Sequence, residues 1–465
     1  MTERFDLVVI GAGPAGEKAG AQAAYFGKRV AIVDRRSDPG GSAASKTGVP
    51  TKTLREAALY LTGFRRRDLY GLGMDLTRDT VLERMRTRTA EVVQLAVEAV
   101  RRNLERHGIE FVVGEARLGP DRTVLVATEA GERMLRGDVV LVATGSRPYH
   151  PPDLFPNDPD VHDSESILEL ERIPSRLVVI GGGPVGCEYA SIFLALGSDV
   201  TLVDRGSRLL PFADAELSEA LATIFERRGM RLIRQADASG LERVDGALRL
   251  SLEDGRTQPT DAVLFAAGRA GSTDGLQLDA AGVKTDERGR ILVDDTYRTS
   301  AEGIYAAGDV IGPPGLASAA MEQGRVAACH AFAIPFKDTV DPLAPFGVYS
   351  VPELGMVGLT EEAAREQGID VGSGRSPFEA NARARIAGAA EGLVKLVFTR
   401  QERRLLGVHI LGDDASELIH IGQAVLHAGG TIDYFIHSTF NVPTLSEAYK
   451  YAAYDGLQRL SGHRL

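Results

Sequence analysis

Phe5-Asp6-Leu7-Val8-Val9-Ile10-Gly11-Ala12-Gly13-Pro14-Ala15-Gly16 is the stretch on which the reading of this chain turns. Residues 5–10 read as a buried parallel strand, apolar at nearly every position. The glycine run follows without a break, then a helical stretch to about residue 26, then a second strand over 29–33 that ends on Asp34. Strand, glycine turn, helix and acidic strand end make up the β-α-β unit that cradles a dinucleotide. In that unit Gly11 allows the tight turn, Gly13 lets backbone approach a pyrophosphate, and Gly16 lets helix and strand pack closely. The helix start offers N–H groups and partial positive charge to the phosphates. Asp34 is placed to accept hydrogen bonds from a ribose.

The same unit recurs. Leu177-Val178-Val179-Ile180 leads into Gly181-Gly182-Gly183-Pro184-Val185-Gly186, a helix to about residue 196, and a strand over 199–203 that ends on Asp204. The two glycine runs start 181 − 11 = 170 residues apart. One glycine run is a weak signal, because glycine turns are common. Two copies, each between strand and helix and each followed by an acidic strand end, predict two dinucleotides on one chain.

Working outward, residues 51–67 and 79–107 carry apolar positions at helical spacing, among them Val92, Val93, Val100 and Leu104. Their arginines (Arg65-Arg66-Arg67, Arg84, Arg86, Arg88) read as a solvated helix face. Strands are predicted near 109–114, 123–127 and 138–142, the last closing on Ala143-Thr144-Gly145. The proline-rich residues 148–156 read as a linker, and a second strand-and-glycine close lies at 264–269, around Gly268. Strands and helices alternate, which predicts the α/β class with parallel sheets. Beyond residue 340 the texture shifts to α+β: strands within 347–358 and 392–412, and helices at 360–367, 414–429 and 444–459. That last region has no glycine fingerprint and is expected to be a dimer interface.

Composition narrows the function. Of 465 residues, 44% are hydrophobic and 25% charged, as in soluble globular chains. The net charge of −11 disfavours nucleic acid and anionic membrane as partners. No apolar run approaches the ~20 residues that span a bilayer. The two cysteines, Cys187 and Cys329, supply no disulfide framework and are expected to be packed small residues. His420 and His437 have no further ligands at matching spacing, so no metal is expected. The charged start, Thr2-Glu3-Arg4, does not read as a secretory leader, and a cytoplasmic protein is expected.

These residues together resemble the flavin-dependent pyridine nucleotide–disulfide oxidoreductases, and the resemblance spans essentially the whole chain. It implies two Rossmann-like dinucleotide-binding domains and a C-terminal α+β dimerisation domain. The expected divisions are 1–150 with 271–342 for FAD, 151–270 for NAD(P), and 343–465 for the dimer. Gly11, Gly13, Gly16 and Asp34 match the family's FAD fingerprint, and Gly181, Gly183, Gly186 and Asp204 its NAD(P) fingerprint. Residues 299–310 match the segment whose aspartate, here Asp309, holds the FAD ribityl chain. The following helix, near Ala317, is expected to aim its N-terminus at the flavin. Gly41, Lys52, Thr144 and Gly145 are further candidate FAD contacts. Gly268 and Arg205 are candidate NAD(P) contacts. Lys52 and Glu188 are expected to form an ion pair beside the reacting ring. Glu447 is expected either to reach towards the partner subunit's flavin or to have a structural place in the last helix.

The departures from the family pattern matter as much. Its two redox cysteines correspond to Ala43 and Gly48, within Gly40-Gly41-Ser42-Ala43-Ala44-Ser45-Lys46-Thr47-Gly48. Its C-terminal histidine corresponds to Val442, while Pro443, Thr444 and Glu447 remain. Thiols and the acid–base that serves them are lost together, so electrons are not expected to leave through a disulfide. The chain is most similar to the family's transhydrogenase branch, through Gly145-Ser146-Arg147-Pro148-Tyr149-His150, Asp163-Ser164-Glu165-Ser166-Ile167-Leu168 and Cys187-Glu188-Tyr189-Ala190-Ser191-Ile192-Phe193. The function this implies is ping-pong hydride exchange between NAD(H) and NADP(H) through FAD, which needs neither cysteine nor histidine. A homodimer or larger homo-oligomer is implied as well. Two alternatives stay open: an NAD(P)H diaphorase or quinone reductase, and a non-catalytic flavoprotein redox sensor. For nucleotide choice, Asp204 suits a free 2′-hydroxyl, whereas Arg205 and Arg208 suit a 2′-phosphate.

Overall fold

The computed structural model describes residues 2–63, 77–151, 154, 157–244 and 246–462. In chain order the first stretch runs β1 (Thr2–Ile10), α1 (Pro14–Tyr25), β2 (Val30–Asp34), α2 (Gly41–Ser45), α3 (Val49–Thr62), α4 (Arg78–Arg106), β3 (Glu110–Val113), β4 (Glu115–Leu118), β5 (Thr123–Thr128), β6 (Gly131–Val142) and β7 (Ser146–Pro148). Next come β8 (Val161–Asp163), β9 (Arg176–Ile180), α5 (Pro184–Ala195), β10 (Asp199–Asp204), α6 (Ala215–Arg227), β11 (Arg231–Arg234), β12 (Ala238–Val244), β13 (Ala247–Leu252), β14 (Thr257–Thr260) and β15 (Ala262–Phe265). Then follow β16 (Arg269–Gly271), β17 (Ile304–Ala306) and α7 (Ala317–Ala331). The chain closes with β18 (Phe346–Val348), β19 (Glu353–Gly358), α8 (Glu361–Glu366), β20 (Val371–Pro377), α9 (Ala382–Ala387), β21 (Leu393–Thr399), β22 (Leu405–Gly412), α10 (Ala415–His427), α11 (Asp433–His437) and α12 (Ala448–Ser461).

Two compact units emerge. The first comprises Met1–Leu54, Met85–Tyr149 and Gly268–Asp341. Its main sheet has the order β3-β2-β1-β6-β5-β4, with β17 also on β6. β1, β2, β3, β6 and β17 are parallel, whereas β4, β5 and β6 form an antiparallel meander. Alternate residues of each central strand feed opposite cores. Leu7, Val9, Val30, Ile32, Val139 and Leu141 pack with Ala15, Ala19 and Ala327 of the helices. Phe5, Val8, Ile10, Ala31, Val33, Val140 and Val142 pack with Val124 and Leu135. Burial on both faces is why these strands read as continuous apolar runs.

The second unit comprises Arg55–Arg84, His150–Ala267 and Pro342–Leu465. It holds a five-stranded parallel sheet, β11-β10-β9-β15-β8, and a separate antiparallel β12-β13-β14 sheet. The C-terminal five-stranded sheet, β18-β19-β22-β21-β20, is wholly antiparallel.

Parallel strands carry the two glycine turns, as the α/β class predicts, and antiparallel strands build the C-terminal α+β sheet and the β4-β5-β6 and β12-β13-β14 meanders. The strands expected within 347–358 are β18 and β19, and those within 392–412 are the hairpin β21-β22. The last helix begins at Ala448, after a single turn of 3-10 helix over Leu445–Glu447. Arg84, Arg86 and Arg88 are exposed on α4, with Arg88 paired to Glu91 at 3.2 Å. Arg65-Arg66-Arg67 lie outside the described residues, as do residues 152, 153, 155 and 156 of the expected linker. Pro148 belongs to β7, which pairs antiparallel with β16.

Candidate dinucleotide sites

The first glycine turn lies between β1 and α1. Gly11 has φ +109°, and a Cβ there would stand 2.3 Å from the Ala143 carbonyl oxygen, so β1 and the end of β6 close on each other only with glycine. A Cβ on Gly16 would lie 1.9 Å from the Gly11 oxygen, which fixes α1 close against the turn. Gly13 is different. It caps α1 at φ −75°, ψ −175°, a conformation open to any residue, and the nearest atom to its Cβ would be Gly41 Cα at 3.8 Å. Gly13 packs closely on Gly41, where an added Cβ would stand 2.7 Å from Gly13 Cα, so the glycine needed at this contact is Gly41.

Three further groups of this unit fit a dinucleotide. Thr144 Oγ1 is buried and has no hydrogen-bond partner among the described residues. Such an atom calls for a partner outside the polypeptide. Asp309 opens a single turn after Gly308, whose N–H is held by Gln323 Oε1 at 2.9 Å. Ala317 is the first residue of α7, and Leu316 before it provides no side-chain cap, so the N–H groups of that helix start remain available. These features fit FAD.

The second turn, between β9 and α5 in the other unit, repeats the geometry. Gly181 has φ +115°, and its Cβ would stand 2.6 Å from the Ala266 oxygen. The Gly186 Cβ would lie 1.8 Å from the Gly181 oxygen, while a Cβ on Gly183 would meet nothing within 4 Å. The third glycine is a packing requirement, and the middle one leaves room.

The strand-end aspartates do something the sequence did not reveal. Asp34 accepts from Ala12 N at 2.8 Å and from Arg36 N at 3.0 Å. Asp204 accepts from Gly182 N at 2.9 Å and from Gly206 N at 3.1 Å. Each carboxylate ties its strand end to the second residue of the glycine turn, beyond its expected role towards a ribose. Next to Asp204, Arg205 is exposed and makes no hydrogen bond or ion pair among the described residues, while Arg208 donates to the Pro211 carbonyl at 2.8 Å. Gly268 (φ +114°) falls with the first unit, where its Cβ would stand 3.3 Å from an Arg288 nitrogen.

Lys52 lies half-buried on α3. Glu188 is buried on α5 and accepts from Tyr349 N at 2.9 Å. Glu447 accepts from the Tyr451 hydroxyl at 3.2 Å, and its charge pushes that phenol above its ordinary range. Val442 is exposed. Positions 43 and 48 abut: a Cβ at Gly48 would stand 2.5 Å from the Ala43 carbonyl oxygen, so this backbone leaves no room for a side chain there. Cys187 and Cys329 are both free and buried, and burial pushes both thiols up, away from the reactive thiolate. Among the described residues no group of three His, Cys, Asp or Glu side chains forms a metal site.

Sequence reasoning missed a buried charge cluster in the second unit. Lys395 Nζ lies 2.9 Å from both Asp214 oxygens, 2.8 Å from Glu361 and 3.1 Å from Glu216. Burial alone would raise these carboxyls. The surrounding cations overcome it and hold all three below the ordinary carboxylate range. Asp214 also caps α6 through Glu216 N at 3.1 Å. The signal was a lone lysine inside the apolar run Leu393-Val394-Lys395-Leu396-Val397-Phe398.

The model of the pyridine nucleotide-disulphide oxidoreductase family matches residues 5–324, and that of the family's dimerisation domain matches residues 344–453. The chain belongs to this family of FAD-dependent oxidoreductases, which act on NAD(P)H. Within it, the chain is 41% identical over 458 residues to a soluble pyridine nucleotide transhydrogenase of Mycobacterium bovis, covering 98% of both chains. It is 39% identical to the protein of that name from Pseudomonas aeruginosa, covering 98% of this chain and 99% of that one. Among solved structures it resembles LpdA from Mycobacterium tuberculosis (TM-score 0.88, 27% identity, 97% of this chain and 99% of that one). It likewise resembles the HOCl-induced flavoprotein disulfide reductase RclA from Escherichia coli (TM-score 0.87, 28% identity, 97% and 99%). No helix among the described residues is long and apolar enough to cross a membrane.

Proposed function

We propose that this chain is a soluble transhydrogenase that exchanges hydride between NAD(H) and NADP(H) by a ping-pong cycle, without a redox-active disulfide. The observation that carries the reading is the pairing of two intact glycine cradles with Ala43 and Gly48 where the family has its thiols. Bound FAD supplies the hydride relay, accepting from one nicotinamide nucleotide and giving to the other. The protein's part is to bind, orient and bias. Residues 1–150 and 271–342 hold FAD through Gly13, Gly41, Thr144, Asp309 and the start of α7. Residues 151–270 hold the nucleotide at Gly183, with Asp204 and Arg205 at its ribose end. Lys52 supplies the positive charge that favours reduced flavin, and Glu188 sets the charge balance around it. Residues 343–465 carry the homodimer contact, where Glu447 supports the site. Full-length similarity to soluble transhydrogenases supports the substrate pair, and the match to the dimerisation domain supports the homodimer. We place the enzyme in the cytoplasm, with both nucleotide pools.

The test is an anaerobic assay with NADPH as donor and thio-NAD as acceptor, beside a parallel reaction with a quinone. Rapid thio-NAD reduction with parallel-line kinetics is expected. Slow nucleotide exchange beside fast quinone reduction would make the chain a diaphorase. No bleaching of the flavin by either nucleotide would make it a non-catalytic module.

A further inference from the structure

We infer that Ser146 is a positioning residue for the Asp309 carboxylate, and that Arg269 fixes the direction of its hydroxyl. The inference rests on the reading of Asp309 as an FAD ligand and deepens it.

Ser146 Oγ donates to Asp309 Oδ2 at 3.1 Å, the only hydrogen bond to that carboxylate among the described residues. Arg269 approaches the same serine twice. Its Nε lies 2.7 Å from Ser146 Oγ, and its guanidinium also donates to the Ser146 carbonyl at 2.7 Å. An arginine has donors only, so Ser146 Oγ must accept from it. The single hydroxyl proton is then directed away from Arg269, onto Asp309. Without Arg269 the hydroxyl could rotate, and its lone pairs could face the carboxylate.

The backbone holds all three residues. Ser146 and Arg269 stand on β7 and β16, paired antiparallel with Gly271 opposite Ser146. Ser272 N donates to the Gly145 carbonyl at 3.0 Å and prolongs that pairing. The turn that Asp309 opens is closed by Gly312 N on the Asp309 carbonyl at 3.1 Å. The backbone at Asp309 is thus fixed, and the serine fixes its side chain. One carboxylate oxygen is occupied from the protein side, and Oδ1 stays open for a hydroxyl of the ligand. The chain leaves the first unit just after β7 and returns to it at Gly268, next to Arg269. The relay therefore joins the outgoing and returning strands to the cofactor-binding aspartate.

The experiment removes FAD and titrates it back into the apoprotein, following quenching of flavin fluorescence and recovery of the bound visible spectrum. Ser146→Ala should raise the FAD Kd about tenfold, the worth of one hydrogen bond to a charged group. Ser146→Thr, which keeps the hydroxyl, should recover most of the loss. Arg269→Gln should shift the Kd in the same direction by a smaller factor. In an Asp309→Ala background, Ser146→Ala should add nothing, and the melting temperature of the Ser146→Ala apoprotein should match wild type. An unchanged Kd for Ser146→Ala, or the same tenfold loss with Asp309 already absent, overturns the relay. If Asp309→Ala alone leaves FAD binding intact, the reading of Asp309 as a ligand falls, and this inference falls with it.

Discussion

The two kinds of glycine in each cradle can be separated by adding one methyl group. Gly183→Ala is the informative change. Its backbone, at φ −78°, ψ −174°, suits alanine, and the new Cβ would meet nothing within 4 Å. Alanine is a poorer helix cap than glycine, at a cost of roughly 0.5–1 kcal/mol. It also loses less entropy on folding, a gain of about 0.4–1 kcal/mol. The two offset, so thermal stability should stay near wild type. The methyl group fills the space through which a pyrophosphate reaches the helix start. A misfit there of about 1.4–2.8 kcal/mol is a 10- to 100-fold weaker Kd for NADH. Gly186→Ala is the contrast, because its Cβ would stand 1.8 Å from a carbonyl oxygen. It forces α5 away from its turn, an overpacking cost of roughly 1–3 kcal/mol or more. The assay pairs calorimetric NADH titration of the FAD-loaded protein with its melting curve. Gly183→Ala should lose binding and keep its melting point, and Gly186→Ala should lose melting point. NADH affinity within twofold of wild type for Gly183→Ala would refute the assignment of this turn to the nucleotide.

Other substitutions probe the remaining parts. Lys52→Met should slow flavin reduction by NADPH more than it weakens NADPH binding; stopped-flow reduction at the wild-type rate would remove Lys52 from the chemistry. Asp204→Ala frees Gly182 N and Gly206 N, so both nucleotides should bind more weakly, but loss of the charge should raise affinity for NADP(H) relative to NAD(H). An unchanged ratio of the two Kd values would exclude Asp204 from discrimination. Lys395→Met leaves three carboxylates around an apolar side chain and should cost about 3–5 kcal/mol, read as a lower urea midpoint at pH 7. Those carboxyls have depressed folded-state values, so their contribution is present above the unfolded range of about 4 and lost as pH falls through the folded values. The gap between Lys395→Met and wild type should therefore narrow in acid, and a gap that widened there would contradict the pairing.

Much of the first unit was legible because its determinants are local. A strand buried on both faces must be apolar throughout, and Leu7 to Ile10 and Val30 to Val33 are. A turn closing on another backbone must be glycine, and Gly11, Gly16, Gly181 and Gly186 all meet a carbonyl oxygen within 2.6 Å of the added Cβ. The antiparallel parts were harder. β13 alternates, with Leu248, Leu250 and Leu252 buried, but its neighbours do not: a register shift between Ala238 and Gly240 interrupts β12, and β14 has only four residues. The Lys395 cluster was beyond reach, because Asp214 is 181 residues away and only the fold brings it to the lysine. Ser146 and Asp309 are likewise 163 residues apart.

The aspartates show how a correct fingerprint can still hide part of a residue's task. At both strand ends the sequence marks an acid, and the acid was read as a ribose acceptor. Aspartate is one methylene shorter than glutamate, so its carboxylate stays close to its own strand. It settles over the N–H of the second residue in the glycine turn, Ala12 in one unit and Gly182 in the other. That N–H lies in a loop with no ladder partner, and the carboxylate satisfies it with a charge-assisted bond. The group expected to meet the ligand therefore also holds the cradle in shape. A substitution at Asp204 changes two things at once, and only the ratio between NAD(H) and NADP(H), not either affinity alone, isolates the part that concerns the ribose.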